Sequence, residues 1–281
     1  MKFCAGLSDI AAQYDGFIVD LWGVIHDGVA PYPGALDCLS HLRGRPVLLL
    51  SNAPRRAKAA QHTLRELGVP DCLYTSILTS GEATWCALRD RTDPWFARLG
   101  NRAYHIGPQR DRNVIEGLDI QRVEAPEAAT FLLNTGPDDT RDPTSLTEFL
   151  AELAACRAAG LKMICANPDL EVMRGADRLL CAGALAEHYA SIGGEVRSLG
   201  KPDPAIYDVA LNMLGVPRAR VLAIGDSLRT DIAGAANAGI DSAWIIGGIH
   251  GESLGADRGL IEAAAQRAGF SPVAVLDRLS W

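Results

Sequence analysis

The chain has 281 residues, with 27 Lys+Arg against 34 Asp+Glu for a formal net charge of −7, and 48% of its residues are hydrophobic. At roughly 150 residues per domain this length suits one large or two modest domains, and the ordinary apolar content excludes wholesale disorder. The acidic balance argues against a general phosphate-backbone binder, which needs a basic face, so no nucleic-acid partner is expected.

In chain order, short apolar runs at residues 16–20, 46–51, 130–133, 161–165, 221–225 and 242–246 read as strands. Several are continuously apolar, as strands buried on both faces of a parallel sheet are. Helical patterns lie between them. Residues 34–42 place Ala35, Leu36, Leu39 and Leu42 on one stripe, residues 55–67 end at Gly68, residues 204–214 end at Gly215, and a further helix is expected over about 230–238. Alternating strands and helices predict an α/β fold with right-handed crossovers. From about residue 81 to 196 the chain is broken by Gly107-Pro108, Gly136-Pro137-Asp138-Asp139 and Asn167-Pro168-Asp169. The expected organisation is therefore a core built from 1–80 and 197–281, with an α/β domain of residues 81–196 inserted between the halves.

Four signals carry chemistry. Asp20 closes the first apolar strand, and ligands of open parallel sheets bind at the carboxyl ends of strands; a capping Asp is the alternative. Ser51-Asn52 closes the second and offers a hydroxyl and an amide to an anion, although Ser-Asn is also a common turn. Lys201, between Gly200 and Pro202, is a point charge that suits a phosphate. Asp226 closes a third apolar strand and Asp231 follows five residues later; a cluster of carboxylate oxygens suits Mg²⁺, whereas helix capping is the plainer reading. Glycine-rich nucleotide grips are absent. The histidines His26, His41, His62, His105, His188 and His250 show no ligand spacing, and His62 and Trp244 read as core or surface filler. The seven cysteines are widely spaced without a CxxC, so free thiols are expected rather than a disulfide framework or structural zinc. No apolar run approaches the ~18 residues of a membrane span and the N-terminus has no signal-peptide pattern. No membrane partner is expected, and the cytoplasm is the default location.

Taken together, Asp20-Leu21-Trp22-Gly23-Val24, Ser51-Asn52, Gly200-Lys201-Pro202 and Gly225-Asp226-Ser227-Leu228-Arg229-Thr230-Asp231 resemble the haloacid dehalogenase superfamily of aspartate-nucleophile phosphohydrolases. Asn167-Pro168-Asp169 and Gly183-Ala184-Leu185 resemble the cap of its class IIA branch, the sugar- and nucleotide-phosphatase-like members. The resemblance runs from about residue 15 to 248. It implies a Rossmann-like α/β/α core with an inserted α/β cap, and a small phosphorylated metabolite as substrate. It also implies Asp20 as nucleophile, and Mg²⁺ held by Asp20, the Trp22 carbonyl and Asp226, with Asp231 orienting metal-bound water. Ser51, Asn52 and Lys201 would bind the phosphoryl group, and Asn167, Asp169 and Arg55 are candidate substrate contacts. Similar proteins often form homodimers through the cap; nothing in this sequence adds to that.

One departure matters. Most phosphatases of the superfamily carry, two residues after the nucleophile, an Asp that protonates the leaving group; here that position is Trp22. General acid–base help is typically worth 10²–10⁴-fold, or about 3–5 kcal/mol. Three readings stay open: a phosphatase restricted to good leaving groups, a substitute acid in His26 or Asp27, or loss of hydrolysis in favour of other chemistry or plain ligand binding. Asp27-Gly28 is also a strong hairpin-turn dipeptide. Trp22 itself is expected to stack on or fence the substrate.

Overall fold

The computed structural model describes residues 1–174, 177–248, 255 and 257–281. Two parallel sheets organise them. The first contains β1 (Lys2–Phe3), β2 (Gly16–Val19), β3 (Val47–Ser51) and β4 (Ser76–Thr79) from the N-terminal part of the chain. The second contains β5 (Arg102–Ile106), β6 (Gln121–Val123), β7 (Phe131–Asn134), β8 (Met163–Cys165) and, after an antiparallel ribbon of β9 (Glu171–Arg174) and β10 (Asp177–Leu180), β11 (Val196–Ser198). The chain then returns to the first sheet as β12 (Val221–Gly225), β13 (Asp241–Ile245) and β14 (Ala274–Leu276). The strand orders are β1-β14-β13-β12-β2-β3-β4 and β11-β8-β7-β5-β6. The fold is thus α/β, a Rossmann-like sheet plus a second α/β unit. β11 lies in the second sheet, so residues 197 and 198, the first two of the expected returning core half, belong to that sheet.

Side chains alternate across the first sheet and bury both faces. Phe17, Val19 and Leu49 pack with Leu39 of α1 (Ala35–His41) and Leu64 of α2 (Ala57–Glu66). In α3 (Ser80–Asp90), Ala83 packs against the other face while Leu88 belongs to the core of the second sheet, so one helix ties the two units. Ile18, Leu48 and Leu50 meet Ile206, Tyr207 and Ala210 of α4 (Pro204–Leu214) and Ala235 of α5 (Ala233–Asn237). Burial on both faces is why these strands read as continuous apolar runs.

The helices differ from expectation mainly at their starts. α2 begins at Ala57 rather than residue 55, because Arg55 is fixed outside the helix. Its carbonyl accepts the Thr79 hydroxyl at 2.5 Å, and a Cβ on Gly81 would sit 2.5 Å from its nitrogen. The helix expected over 230–238 opens as a wide turn, in which the Ile232 N–H donates five residues back to the Ser227 carbonyl at 3.1 Å. Such wide turns commonly mark functional sites. Gly68 and Gly215 close their helices at φ +83° and +66°, values that favour glycine.

Candidate active site

β2 and β12 are neighbours in the middle of the sheet, so the residues after them emerge side by side. Asp20 follows β2, its N–H donating to the Ile224 carbonyl at 2.9 Å, and Asp226 follows β12. Oxygens of Asp20, Asp226 and Asp231 lie within 4.8 Å of one another, and all three residues are buried. Lys201 enters from the link between β11 and α4 and is 3% exposed. Its Nζ reaches Asp20 Oδ1 at 2.6 Å and Asp231 Oδ1 at 2.7 Å. Burial, the Asp231 carboxylate and the Asp226 carboxylate push the Asp20 carboxyl well above its ordinary range, and Lys201 opposes them. Burial alone would lower the Lys201 ammonium, but Asp20 and Asp231 outweigh it and hold the group charged.

Three carboxylates facing one ammonium are a hard, oxygen-rich set with an excess of negative charge, which fits a divalent cation. The space round Asp226 is kept by glycines: a Cβ on Gly23 would lie 1.9 Å from its Oδ2, and one on Gly248 would lie 2.2 Å away. The residues therefore fit Mg²⁺, with the carbonyl of Trp22 one residue from Gly23.

Asn52 differs from expectation. Its side chain was expected on the phosphate, but its polar atoms are occupied: Oδ1 accepts the Lys201 N–H at 2.8 Å and the Ser80 hydroxyl at 3.2 Å, while Nδ2 donates to Asp169 Oδ1 at 2.9 Å and the Lys201 carbonyl at 3.0 Å. Its side chain positions Lys201 and Asp169. Ser51 is 2% exposed beside the site, and its hydroxyl accepts from Ala53 N–H at 3.1 Å. Asn167 closes its own turn, with Oδ1 accepting the Asp169 N–H at 3.0 Å. Asp169 reaches the site, whereas Arg229 of the Asp226 loop donates to the Pro168 carbonyl at 2.5 Å and holds that turn over the sheet.

Neither substitute acid is well placed. His26 is 3% exposed, its Nδ1 accepts the Gly28 N–H at 3.0 Å, and burial pushes its pKa down to about 4. Asp27 Oδ1 accepts the N–H groups of Val29 and Ala30, both at 2.8 Å, which holds its carboxyl below the usual range and makes it a turn residue. The Trp22 ring lies edge-on to His26 at 5.1 Å and against Gly28. His250 lies outside the described residues. Of the cysteines, Cys38, Cys156, Cys165 and Cys181 are buried, Cys72 is exposed, and all seven are free.

Two cavities meet at Asp20, Trp22 and Asp169. One of about 290 Å³ takes in Lys201, Asp226 and Asp231; the other, about 640 Å³, runs past Ser51 and Arg55 under the second sheet to Asp111 and Asp138. Sequence reasoning missed several supports. Trp244, read as filler, is fully buried and its indole N–H donates to the Asp226 carbonyl at 2.8 Å. Tyr207 donates to the Asp231 carbonyl at 3.1 Å. Ser80 follows β4 as Asn52 follows β3, so recognising β4 would have revealed it.

Family models match at both ends of the chain: a haloacid dehalogenase-like hydrolase model over residues 17–121 and a HAD-hydrolase-like model over 198–280. The chain is 30% identical over 244 residues to the ribonucleotide monophosphatase NagD of Escherichia coli K12, covering 83% of this chain and 87% of that protein. It is 29% identical over 251 residues to a D-glycerol 3-phosphate phosphatase of Mycobacterium tuberculosis, covering 87% of this chain and 66% of the relative. Among solved structures, a haloacid dehalogenase-like family hydrolase from Brucella suis 1330 superposes with a TM-score of 0.85 at 32% identity, covering 99% of this chain and 100% of the other. A glycerol phosphate phosphatase from Mycobacterium tuberculosis, crystallised with magnesium, superposes at 0.66 and 26% identity, covering 89% and 74%.

Proposed function

The chain belongs to the haloacid dehalogenase-like hydrolases, in their class IIA phosphatase branch, and from that premise we propose that it hydrolyses a small phosphorylated metabolite through Asp20. The observation that carries this is Lys201 Nζ bridging Asp20 and Asp231 beside Asp226 at the ends of two central strands. In this reading an Asp20 carboxylate oxygen bonds to phosphorus as the bond to the leaving oxygen breaks, giving an aspartyl phosphate. Water then attacks phosphorus, releasing inorganic phosphate and restoring Asp20. Lys201 and Ser51 hold phosphoryl oxygens, where charge spreads in the transition state. Asp20, Asp226 and the Trp22 carbonyl would hold Mg²⁺, which when bound offsets the repulsion between an anionic nucleophile and an anionic phosphate. The relatives named as a D-glycerol 3-phosphate phosphatase and a ribonucleotide monophosphatase support a substrate of that size.

Trp22 offers no proton to the leaving oxygen, and His26 and Asp27 are both held in states poorly suited to supply one. The enzyme is therefore proposed to favour leaving groups that need little protonation. The test is a Mg²⁺-dependent assay over aryl and alkyl phosphates with Asp20→Asn as control. Turnover should vanish in the variant, and rates should fall steeply as leaving-group pKa rises. Flat rates would restore a substitute acid, and absence of Asp20-dependent turnover on every substrate would favour a phosphate binder.

A further inference from the structure

The larger cavity holds one polar group that nothing so far uses. Asp111 sits on a turn of the second unit, Gln109–Ile115, and is 3% exposed. Its Oδ1 has no hydrogen-bond partner. The nearest cation is Arg55 Nε at 3.4 Å, an ion-pair contact without a hydrogen bond. Arg55 comes from the first unit, its main chain locked by Thr79 and Gly81, and about a third of its side chain is exposed. Both residues line the cavity that begins at Asp20. A buried carboxylate oxygen without a donor is costly to leave that way, so the site is short of one hydrogen-bond donor.

The other carboxylates of the outer part of this cavity already have partners. Asp138 is paired with Arg141 at 2.8 Å and Asp139 with Arg110, while Asp169 accepts a hydrogen bond from the neutral Asn52 amide. Arg55 is balanced by Asp111, so no surplus of positive charge is left to receive a second anion. A hydroxyl fits the pair on both counts, since it can donate to Asp111 and accept from Arg55 without bringing charge.

Building on the phosphatase reading above, we propose that Asp111 and Arg55 form the leaving-group subsite, which admits a neutral, hydroxyl-bearing leaving group and disfavours one carrying a second negative charge. Asp111 is then a specificity residue supplied by the second unit.

The test compares glycerol 3-phosphate, n-propyl phosphate and 2-phosphoglycolate, whose leaving oxygens are all alkyl and so depend similarly on protonation. The wild type should prefer glycerol 3-phosphate over each of the others by about tenfold or more in kcat/KM, the scale of a hydrogen bond to a charged group. Asp111→Ala should erase the preference over propyl phosphate and raise 2-phosphoglycolate relative to glycerol 3-phosphate by about tenfold, because Arg55 is released. A merely structural role lowers all three by one factor; that result, or a wild type that does not discriminate, overturns the proposal. Calorimetric affinities of the same compounds for Asp20→Asn, with and without Asp111→Ala, make the same comparison without turnover. Failure of the chemistry and failure of the subsite are thereby read separately.

Discussion

Asn52 grips Lys201 by both of its main-chain polar groups, accepting the N–H at 2.8 Å and donating to the carbonyl at 3.0 Å. The ammonium at the far end of that lysine joins Asp20 to Asp231. A residue at the end of one strand thus fixes a charge that arrives on a chain returning from the second unit.

Asn52→Ala removes that grip and strips Asp169 Oδ1 of its donor. Displacing a catalytic group by about 1 Å can cost roughly 10²-fold, so kcat/KM for an aryl phosphate is expected to fall about 10–100-fold, mostly through kcat. A variant within twofold of wild type would show that Lys201 is held by its own packing.

The part of this arrangement legible in the sequence is the part made by buried central strands. Residues 16–20, 46–51 and 221–225 are apolar because both faces are covered, and the polar residue that ends or directly follows each run, Asp20, Ser51 or Asp226, stands out against them. β4 and β5 carry mixed side chains, Ser76-Ile77-Leu78-Thr79 and Arg102-Ala103-Tyr104-His105-Ile106, and β1 is two residues long, so no periodic signal marked them. The grip of Asn52 on Lys201 spans 149 residues and depends on how the second unit returns, which local pattern does not encode. Trp244 is a core residue, one of the two places the sequence reading left open for it, but the hydrogen bond from its indole N–H to the Asp226 carbonyl is not visible in a local pattern.

Gly28 has φ +86°, and a Cβ there would lie 2.2 Å from Trp22 Cη2. Gly28→Ala combines backbone strain with a ring that must move, and is expected to destabilise by about 1–3 kcal/mol. Because the displaced ring borders both cavities, KM for an aryl phosphate should change as well. Urea melts and steady-state kinetics check both; an unchanged midpoint would mean that the loop at 26–30 shifts as a body.

His26 gives a pH dependence of definite sign. Its folded pKa, pushed down to about 4 by burial, lies below the ordinary 6.5. Above pH 6.5 the ring is neutral in both states and its contribution is constant. As pH falls from 6.5 towards 4, only the unfolded chain takes up the proton, so stability is lost. The loss between pH 7 and pH 5 is expected to be about 2 kcal/mol. His26→Asn keeps an acceptor for the Gly28 N–H and removes the titration. Asp111, whose carboxyl is pushed up to about 6, acts in the opposite sense over an overlapping range, but it is common to both proteins. The difference between the two urea-denaturation profiles isolates His26, and parallel profiles from pH 7 to 5 would remove it as the source.

Trp244 links the buried core to the carboxylate cluster, since the indole N–H on the Asp226 carbonyl fixes the main chain from which that carboxylate projects. Groups that orient metal ligands from behind typically matter about 10–100-fold in metal affinity. Trp244→Phe keeps much of the apolar volume beside Ile246 and Val275 and deletes the donor. Mg²⁺ should raise the thermal midpoint of the wild type through binding to the folded state alone. In the variant the Mg²⁺ concentration giving half of that rise should increase about tenfold, while Asp226→Asn should abolish the rise. Because the readout is a melting curve, it is independent of turnover. A Trp244→Phe titration that overlays the wild type would mean that the Asp226 loop is held by the wide turn at 227–232 and by Gly23 and Gly248, without help from the indole.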